Sequence, residues 1–450
     1  MEKKMEKIRM GVVGLGHRGR NMFKLAAEAF PDYVIPAATC DLITANWTDT
    51  KFQQTKSMAE QFPETVPSTP GQLELAKILC EDLKKAGAVN VTVTEKGYVY
   101  GFLPPAEGLE KIPCCGFIAH MDTSDAASGK NIKPVLVQYD GTPIPLGASG
   151  KILSETLFPD LAELRGDTLV VTDGTTLLGA DDKGGCAEII AALERIVKEN
   201  IPHGPLAFAF TPDEEIGCGM DHFDVEKFGA EFAFTLDGGK VDLYEYENFN
   251  AAGATIQFHG LPVHPGSAKG KMINALSLAW EFHSLLPREE VPEKTEGYEG
   301  FYFLHSLNGS SSEAKSQYLL RDHNKEKFEA RKAKIQEITF LLQKKYGENF
   351  IEAKISDQYE NMAQVMEKYP FMKELAFDAI REASFTPRTV PIRGGTDGAR
   401  LSFMGVPCPN LGTGGGNYHG EYEYISVEKM EKSVEIIINI VKGTVKRFAK

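Results

Sequence analysis

The chain runs to 450 residues, 42% of them apolar and 25% charged, with a formal charge of −14 at pH 7 and an isoelectric point near 5.3. This length and balance suit two or more packed globular domains and exclude a disordered or fibrous chain. The acidic surplus argues against nucleic acid or an anionic membrane as a partner, since either is repelled by the average field, and leaves small or cationic ligands open.

The apolar run at residues 11–16 meets His17 and Arg18 too soon for a signal-peptide core. No later stretch is long enough to span a bilayer, so a cytoplasmic protein is expected. The seven cysteines, Cys40, Cys80, Cys114, Cys115, Cys186, Cys218 and Cys408, are scattered and never in a Cys-x-x-Cys spacing. They predict mostly buried thiols, not a thiolate metal site.

In chain order, residues 8–62 read as one unit: a strand at 9–13, the turn Gly14-Leu15-Gly16-His17-Arg18-Gly19, a helix to about Phe30, and a strand from Val34 that ends at Asp41. That is a βαβ start whose glycine-rich turn presents N–H groups suited to a pyrophosphate. Prolines interrupt the pattern at 62–71, and a helix is predicted over 72–85, with Thr69 as its cap and Pro70 in its first turn. Strands at 89–94 and 98–103 pair around Glu95-Lys96-Gly97. Further strands fall at 116–120, 168–172, 206–210 and 232–236, and a helix at 183–198. The near-continuous apolar runs among them fit a sheet covered on both faces by helices. The next stretch reads strand (254–258), helix (272–286), strands (300–307 and 314–321), a long charged helix (325–346) and strand (350–356). This βαββαβ order predicts an inserted ferredoxin-like domain. A helix at 372–383, glycine-rich turns at 393–395 and 412–416 and a final helix at 427–448 complete the α/β pattern.

Chemistry-bearing residues gather where apolar strands are predicted to end: His120, Asp122, Asp181, the pair Glu214-Glu215, and Asp237, with His419 in a late glycine-rich loop. The carboxyl edge of an open α/β sheet is where such folds bind ligands. Residues two apart on a strand face the same side, so Asp122 is placed to orient the His120 ring without binding metal itself. The carboxylates of Glu214 and Glu215 diverge, which lets one bind metal while the other faces a water. A nitrogen and oxygen donor set without thiolates suits zinc, with manganese or cobalt as alternatives.

The stretches Gly116-Phe117-Ile118-Ala119-His120-Met121-Asp122-Thr123, Leu177-Leu178-Gly179-Ala180-Asp181-Asp182-Lys183, Thr211-Pro212-Asp213-Glu214-Glu215-Ile216-Gly217 and Asn410-Leu411-Gly412-Thr413-Gly414-Gly415 resemble the signatures of the peptidase T family of two-zinc exopeptidases. So do Val263-His264-Pro265-Gly266-Ser267-Ala268-Lys269-Gly270-Lys271 and Pro391-Ile392-Arg393-Gly394-Gly395-Thr396-Asp397-Gly398, and the likeness runs in order from about Val66 to the C-terminus. It implies a metal-dependent tripeptide aminopeptidase with two Zn2+ per subunit. One ion is then held by His120 and Asp237 and the other by Glu215 and His419, with Asp181 bridging and Glu214 as general base. Asp182, beside the bridge, reads as a supporting or turn residue. The resemblance also implies a short peptide substrate and a homodimer formed through the inserted domain. Within it, His264 reaches an active site, generally the partner's, to stabilise an oxyanion, the competing reading being a turn histidine. Arg393 pairs with the peptide's C-terminal carboxylate or, alternatively, makes a structural salt bridge. The implied organisation is a zinc peptidase sheet domain at 65–248 and 360–450, an inserted dimerisation or lid domain at 249–359, and a partial Rossmann-like segment at 1–64.

That first segment, with Gly14, Gly16, Gly19 and Asp41, resembles the start of an NAD(P)-dependent oxidoreductase of the glucose-fructose oxidoreductase type. It is a fraction of a dinucleotide domain and stands where the peptidase T family ordinarily has a helix and short loop. A fused reading frame is therefore expected, with sheet surface uncovered at a cost on the order of several kcal/mol. Other readings stay open: a dipeptidase, carboxypeptidase or aminoacylase sharing the metal centre, an NAD(P)-binding oxidoreductase, or a catalytically impaired fusion.

Overall fold

The computed structural model describes residues 66–147 and 149–449, together with the backbone of the strands Ile8–Val13 and Val34–Cys40. These two strands pair in parallel. The turn at 14–19, the expected helix to Phe30 and Asp41 lie outside the described residues, as does the NAD(P) expectation that rests on them.

The chain divides into two compact units, Met1–Glu245 with Val365–Thr389 and Thr396–Lys450, and Tyr246–Gln364 with Val390–Gly395. The first is built on a seven-stranded sheet in the order Tyr244–Glu245, Asn410–Gly412, Phe232–Gly238, Cys115–His120, Leu206–Thr211, Val99–Leu103, Val89–Val93. Its four middle strands, from Asn410–Gly412 to Leu206–Thr211, run parallel, and the outer pairings are antiparallel. Every residue of Cys115–His120 and Leu206–Thr211 is buried, as expected of parallel strands covered on both faces. On one face Ile118, Ala207 and Ala209 join a core with Phe228 and Leu401, which come from the short helices Val225–Phe228 and Asp397–Phe403. On the other, Phe208, Phe117 and Phe234 line up across three strands in register and stack at 6.5 and 6.2 Å. Helix Ala180–Lys198 packs on this face. It approaches so closely at Gly185 that a Cβ there would collide with the Leu236 carbonyl oxygen.

The run expected as a strand at 168–172 forms Thr168–Val171 but does not join this sheet. It pairs with Val135–Gln138 and Tyr424–Ser426 in a separate four-stranded antiparallel sheet, closed by Gly415–Gly416. Thr69 does precede helix Pro70–Ala86 with extended backbone, yet its side chain makes no cap bond. Its hydroxyl accepts from Gln72 Nε2 at 3.0 Å, because the Gln72 amide is turned back toward the helix start.

The second unit is a four-stranded antiparallel sheet in the order Phe301–Gly309, Glu313–Asp322, Asn250–His259, Ile351–Tyr359. Burial alternates along Asn250–His259 and Glu313–Asp322, so one face carries the core. Helices Ala275–Ser284 and Lys325–Tyr346 supply the rest of it. The long helix buries Phe328, Arg331, Ile335, Ile338 and Leu342, a stripe at helical spacing on an otherwise charged surface. Residues 390–395 return to this unit through a bridge between Asn248 and Ile392.

Candidate active site

Sheet register assembles the first part of the site. Thr235 pairs with Ile118 and Thr211 with His120, so His120 ends its strand beside Thr211 and level with Asp237. The His120 ring is buried, 2% exposed, with Nε2 3.0 Å from Asp181 Oδ1 and 3.4 Å from Asp237 Oδ1. Its Nδ1 lies 3.3 Å from Asp122 Oδ1. Asp122 also accepts the backbone N–H groups of Glu214 and Glu215, each at 3.0 Å, one per carboxylate oxygen. A single side chain thus sits between the histidine ring and the paired glutamates.

Asp181 arrives differently from the expectation that it ends a strand. It belongs to the first turn of helix Ala180–Lys198, entered through Gly179 at φ 76°, and the regular helix begins only after Asp182. A left-handed entry of this kind favours glycine. The Asp181–Asp182 peptide bond is cis. Asp182 accepts the N–H of His120 at 3.1 Å and of Gly185 at 3.2 Å, tying the helix start to the strand end. Asp181 Oδ2 lies 3.0 Å from His419 Nε2, which is also 3.0 Å from Glu215 Oε2. His419 itself sits on the loop between Gly415–Gly416 and Tyr424–Ser426. It has a left-handed backbone, φ 61°, and its side chain is about half exposed (48%).

The Nε2 atom of each histidine therefore faces two carboxylates, and Asp181 gives one oxygen to each. Burial pushes the Asp237 carboxyl up to about 6 and, together with Asp237, holds Glu214 well above the usual carboxylate range. Burial alone would also raise Asp181, but His120 and His419 hold it below its ordinary value. His419 is pushed up to about 10 by Asp181 and then Glu215. So much negative charge in one place calls for positive counter-charge. Glu215 Oε1 is buried and has no hydrogen-bond partner among the described residues.

Several contributors carry no sequence signal of their own. Thr396 Oγ1 lies 3.4 Å from Asp237 Oδ2 and 3.1 Å from Asn410 Oδ1, and Thr211 Oγ1 donates to Asp397 at 2.6 Å. Buried Asp213, at φ 60°, accepts from Ser68 Oγ at 2.6 Å and Gln72 Nε2 at 2.8 Å, which anchors the Glu214-Glu215 turn to the start of helix Pro70–Ala86. Lys183 donates to the Asp122 carbonyl at 3.2 Å. Asp213, Thr396, Asp397 and Lys183 fall inside stretches already notable in the sequence. Ser68 and Gln72 fall outside all of the motif stretches.

His264 and Arg393 belong to the second unit. His264 is exposed and its Nδ1 accepts the Gly266 N–H at 3.2 Å, capping the turn Pro265–Ser267. Arg393 donates to the carbonyls of Gly297, Glu299 and Thr295 at 2.8, 2.9 and 3.2 Å and to Thr295 Oγ1 at 2.9 Å. Its guanidinium lies over the Phe249 and Phe301 rings. The alternative of a structural salt bridge is not what the described residues provide: the guanidinium's recorded partners are carbonyls, a hydroxyl and aromatic faces.

A sequence profile of peptidase family M20/M25/M40 matches residues 171–443. Peptidase T of Clostridium perfringens (strain SM101 / Type A) is 52% identical over 394 residues, covering 87% of this chain and 97% of that protein. The chain belongs to the M20/M25/M40 peptidase family. It is accordingly a hydrolase of the peptidase T kind. The fold agrees with solved structures: a tripeptidase from Staphylococcus aureus superposes with a TM-score of 0.66 at 22% identity, over 83% of this chain and 97% of that one. The Bacillus subtilis YXEP protein, a dinuclear metal-binding M20 peptidase, gives 0.55 at 14% identity over 83% and 93%.

Proposed function

We propose that this hydrolase is a metal-dependent tripeptide aminopeptidase whose centre holds two divalent cations. The observation that carries the reading is the sharing of Asp181, one oxygen toward His120 Nε2 and the other toward His419 Nε2, each 3.0 Å away. Asp237 completes the first donor set and Glu215 the second. The residues fit the ions. Glu215 Oε1 is a buried acceptor without a partner among the described residues, and two divalent cations offset the negative charge that Asp181, Glu215 and Asp237 place around the two histidines. Nitrogen and oxygen donors favour zinc, with manganese or cobalt as alternatives.

When bound, such a pair of cations supplies Lewis-acid polarisation of a peptide carbonyl and acidifies water toward neutrality. Glu214 is the general base. It takes a proton from the attacking water at a carboxylate oxygen and delivers it to the nitrogen of the departing peptide. Asp122 orients His120 through Nδ1 and holds the glutamate turn through two N–H groups. Tripeptides are the substrate favoured by the likeness to peptidase T and by a fold relative that is a tripeptidase. Arg393 as anchor of the peptide's C-terminal carboxylate, and His264 as an oxyanion donor, complete the proposal. So does a homodimer formed through the second unit, for which exposed Trp280 and Phe340 on its helices speak and which sedimentation equilibrium reads directly.

The test is release of the N-terminal residue from a tripeptide by the full chain, before and after chelation. Activity is expected to vanish with chelator and return with zinc. Glu214→Gln is expected to keep its zinc and lose at least about 10²-fold in kcat. Activity indifferent to chelation, or a fully active Glu214→Gln, sinks the proposal.

A further inference from the structure

Four residues beyond His419, Glu423 is 1% exposed. One of its carboxylate oxygens accepts the N–H groups of Leu178 and Gly179 at 2.6 and 2.8 Å, and the other accepts that of Asp181 at 3.1 Å. Three main-chain donors converging on one buried carboxylate define the path of the turn that delivers Asp181, since hydrogen bonds to an ionised acceptor are shorter and stronger than neutral ones. Glu423 also closes the loop that carries His419, directly before the strand Tyr424–Ser426, which pairs with Thr168–Val171. The two segments whose side chains meet at 3.0 Å between Asp181 and His419 are thus fastened to each other by a side chain that touches neither histidine in any recorded contact.

We propose that Glu423 is the positioning residue for the shared carboxylate: it sets the Asp181 backbone so that one oxygen faces each histidine. This rests on the two-cation reading above. It implies that loss of Glu423 weakens both ions together, because Asp181 contributes to both sets, whereas loss of His419 removes a donor from one.

Glu423→Gln keeps shape and volume but turns an NH2 group toward backbone donors. The experiment is titration of the metal-free full chain with Co2+ by calorimetry, beside a His419→Ala control and thermal melting of each metal-free protein. Wild type is expected to take up two ions per chain. If it does not, the two-cation reading fails first, and this inference with it. Glu423→Gln is expected to melt cooperatively and to bind both ions about 10–100-fold more weakly, while His419→Ala loses one ion selectively. Two ions bound by Glu423→Gln with wild-type affinity overturn the inference, as does weakening confined to the ion that His419→Ala loses. Should Glu423→Gln fail to fold, Glu423→Asp, which keeps a shortened carboxylate, is expected to fold and show an intermediate loss for both ions. If that variant also fails to fold, Glu423 is a structural residue only and the inference is wrong.

Discussion

Arg393 has the most to decide at the scale of single residues. Its two terminal nitrogens are engaged by backbone carbonyls of the 295–299 loop, an arrangement that braces the loop whether or not a substrate arrives. Anchoring a peptide carboxylate asks the same fork to accept a bidentate partner. Comparing a tripeptide with its C-terminal amide separates the two. If Arg393 binds the carboxylate, wild type prefers the free acid by about 10-fold or more in kcat/KM and Arg393→Ala abolishes that preference. If it only braces the loop, the variant loses equally on both substrates. The metal-site candidates were legible in the sequence because their chemistry is carried by residue type and by a place after an apolar run. Glu423 and Gln72 were not legible, since their work is to accept or donate to main-chain and side-chain groups that come near only after folding. The αL backbones of Asp213 and His419 were equally hidden, because neither residue type demands such a conformation.

At the scale of elements, long buried strands and amphipathic helices declare themselves by burial and spacing, and Lys325–Tyr346 and Val427–Phe448 run to the residues the pattern indicates. What an apolar run does not reveal is its neighbour. Thr168–Val171 reads like a strand of the main sheet, yet its hydrogen-bonding partners sit in a second, smaller sheet whose strands of two to four residues are too short for any periodicity. That sheet nonetheless frames the His419 loop. Helices Ala180–Lys198 and Val427–Phe448 pack together, and between them Glu188 is buried with Ser433 Oγ donating to it at 2.5 Å and its other oxygen without a partner among the described residues. Burial lifts the Glu188 carboxyl well above its ordinary value, so the folded chain holds a proton there that the unfolded chain releases. The stability from that proton is full below the unfolded value and drains away as pH rises toward the folded one. Glu188→Gln removes the dependence. Its melting temperature should match wild type below about pH 4 and exceed it by a margin that grows as the pH rises from there. A gap independent of pH in calorimetric scans would show that Glu188 is not protonated in the fold.

For the whole molecule, the chain carries a peptidase-family body that matches 97% of a curated relative while using 87% of its own length. No helix among the described residues is long and apolar enough to cross a membrane. The surplus of negative charge has a local expression in the first unit, where Asp122, Asp181, Asp182, Glu214, Glu215, Asp237 and Asp397 crowd around one strand edge. A fold tolerates such a cluster when cations complete it. Ser68 and Gln72, which hold the Asp213 turn, lie at the start of helix Pro70–Ala86 and tie it to the Glu214-Glu215 segment. The account stands most directly on where cations bind, and anomalous diffraction from crystals of the full chain grown with zinc measures that. It predicts two peaks, one between His120 and Asp237 and one between His419 and Glu215, each in contact with a different oxygen of Asp181. A single peak, or zinc bound without Asp181, would contradict it.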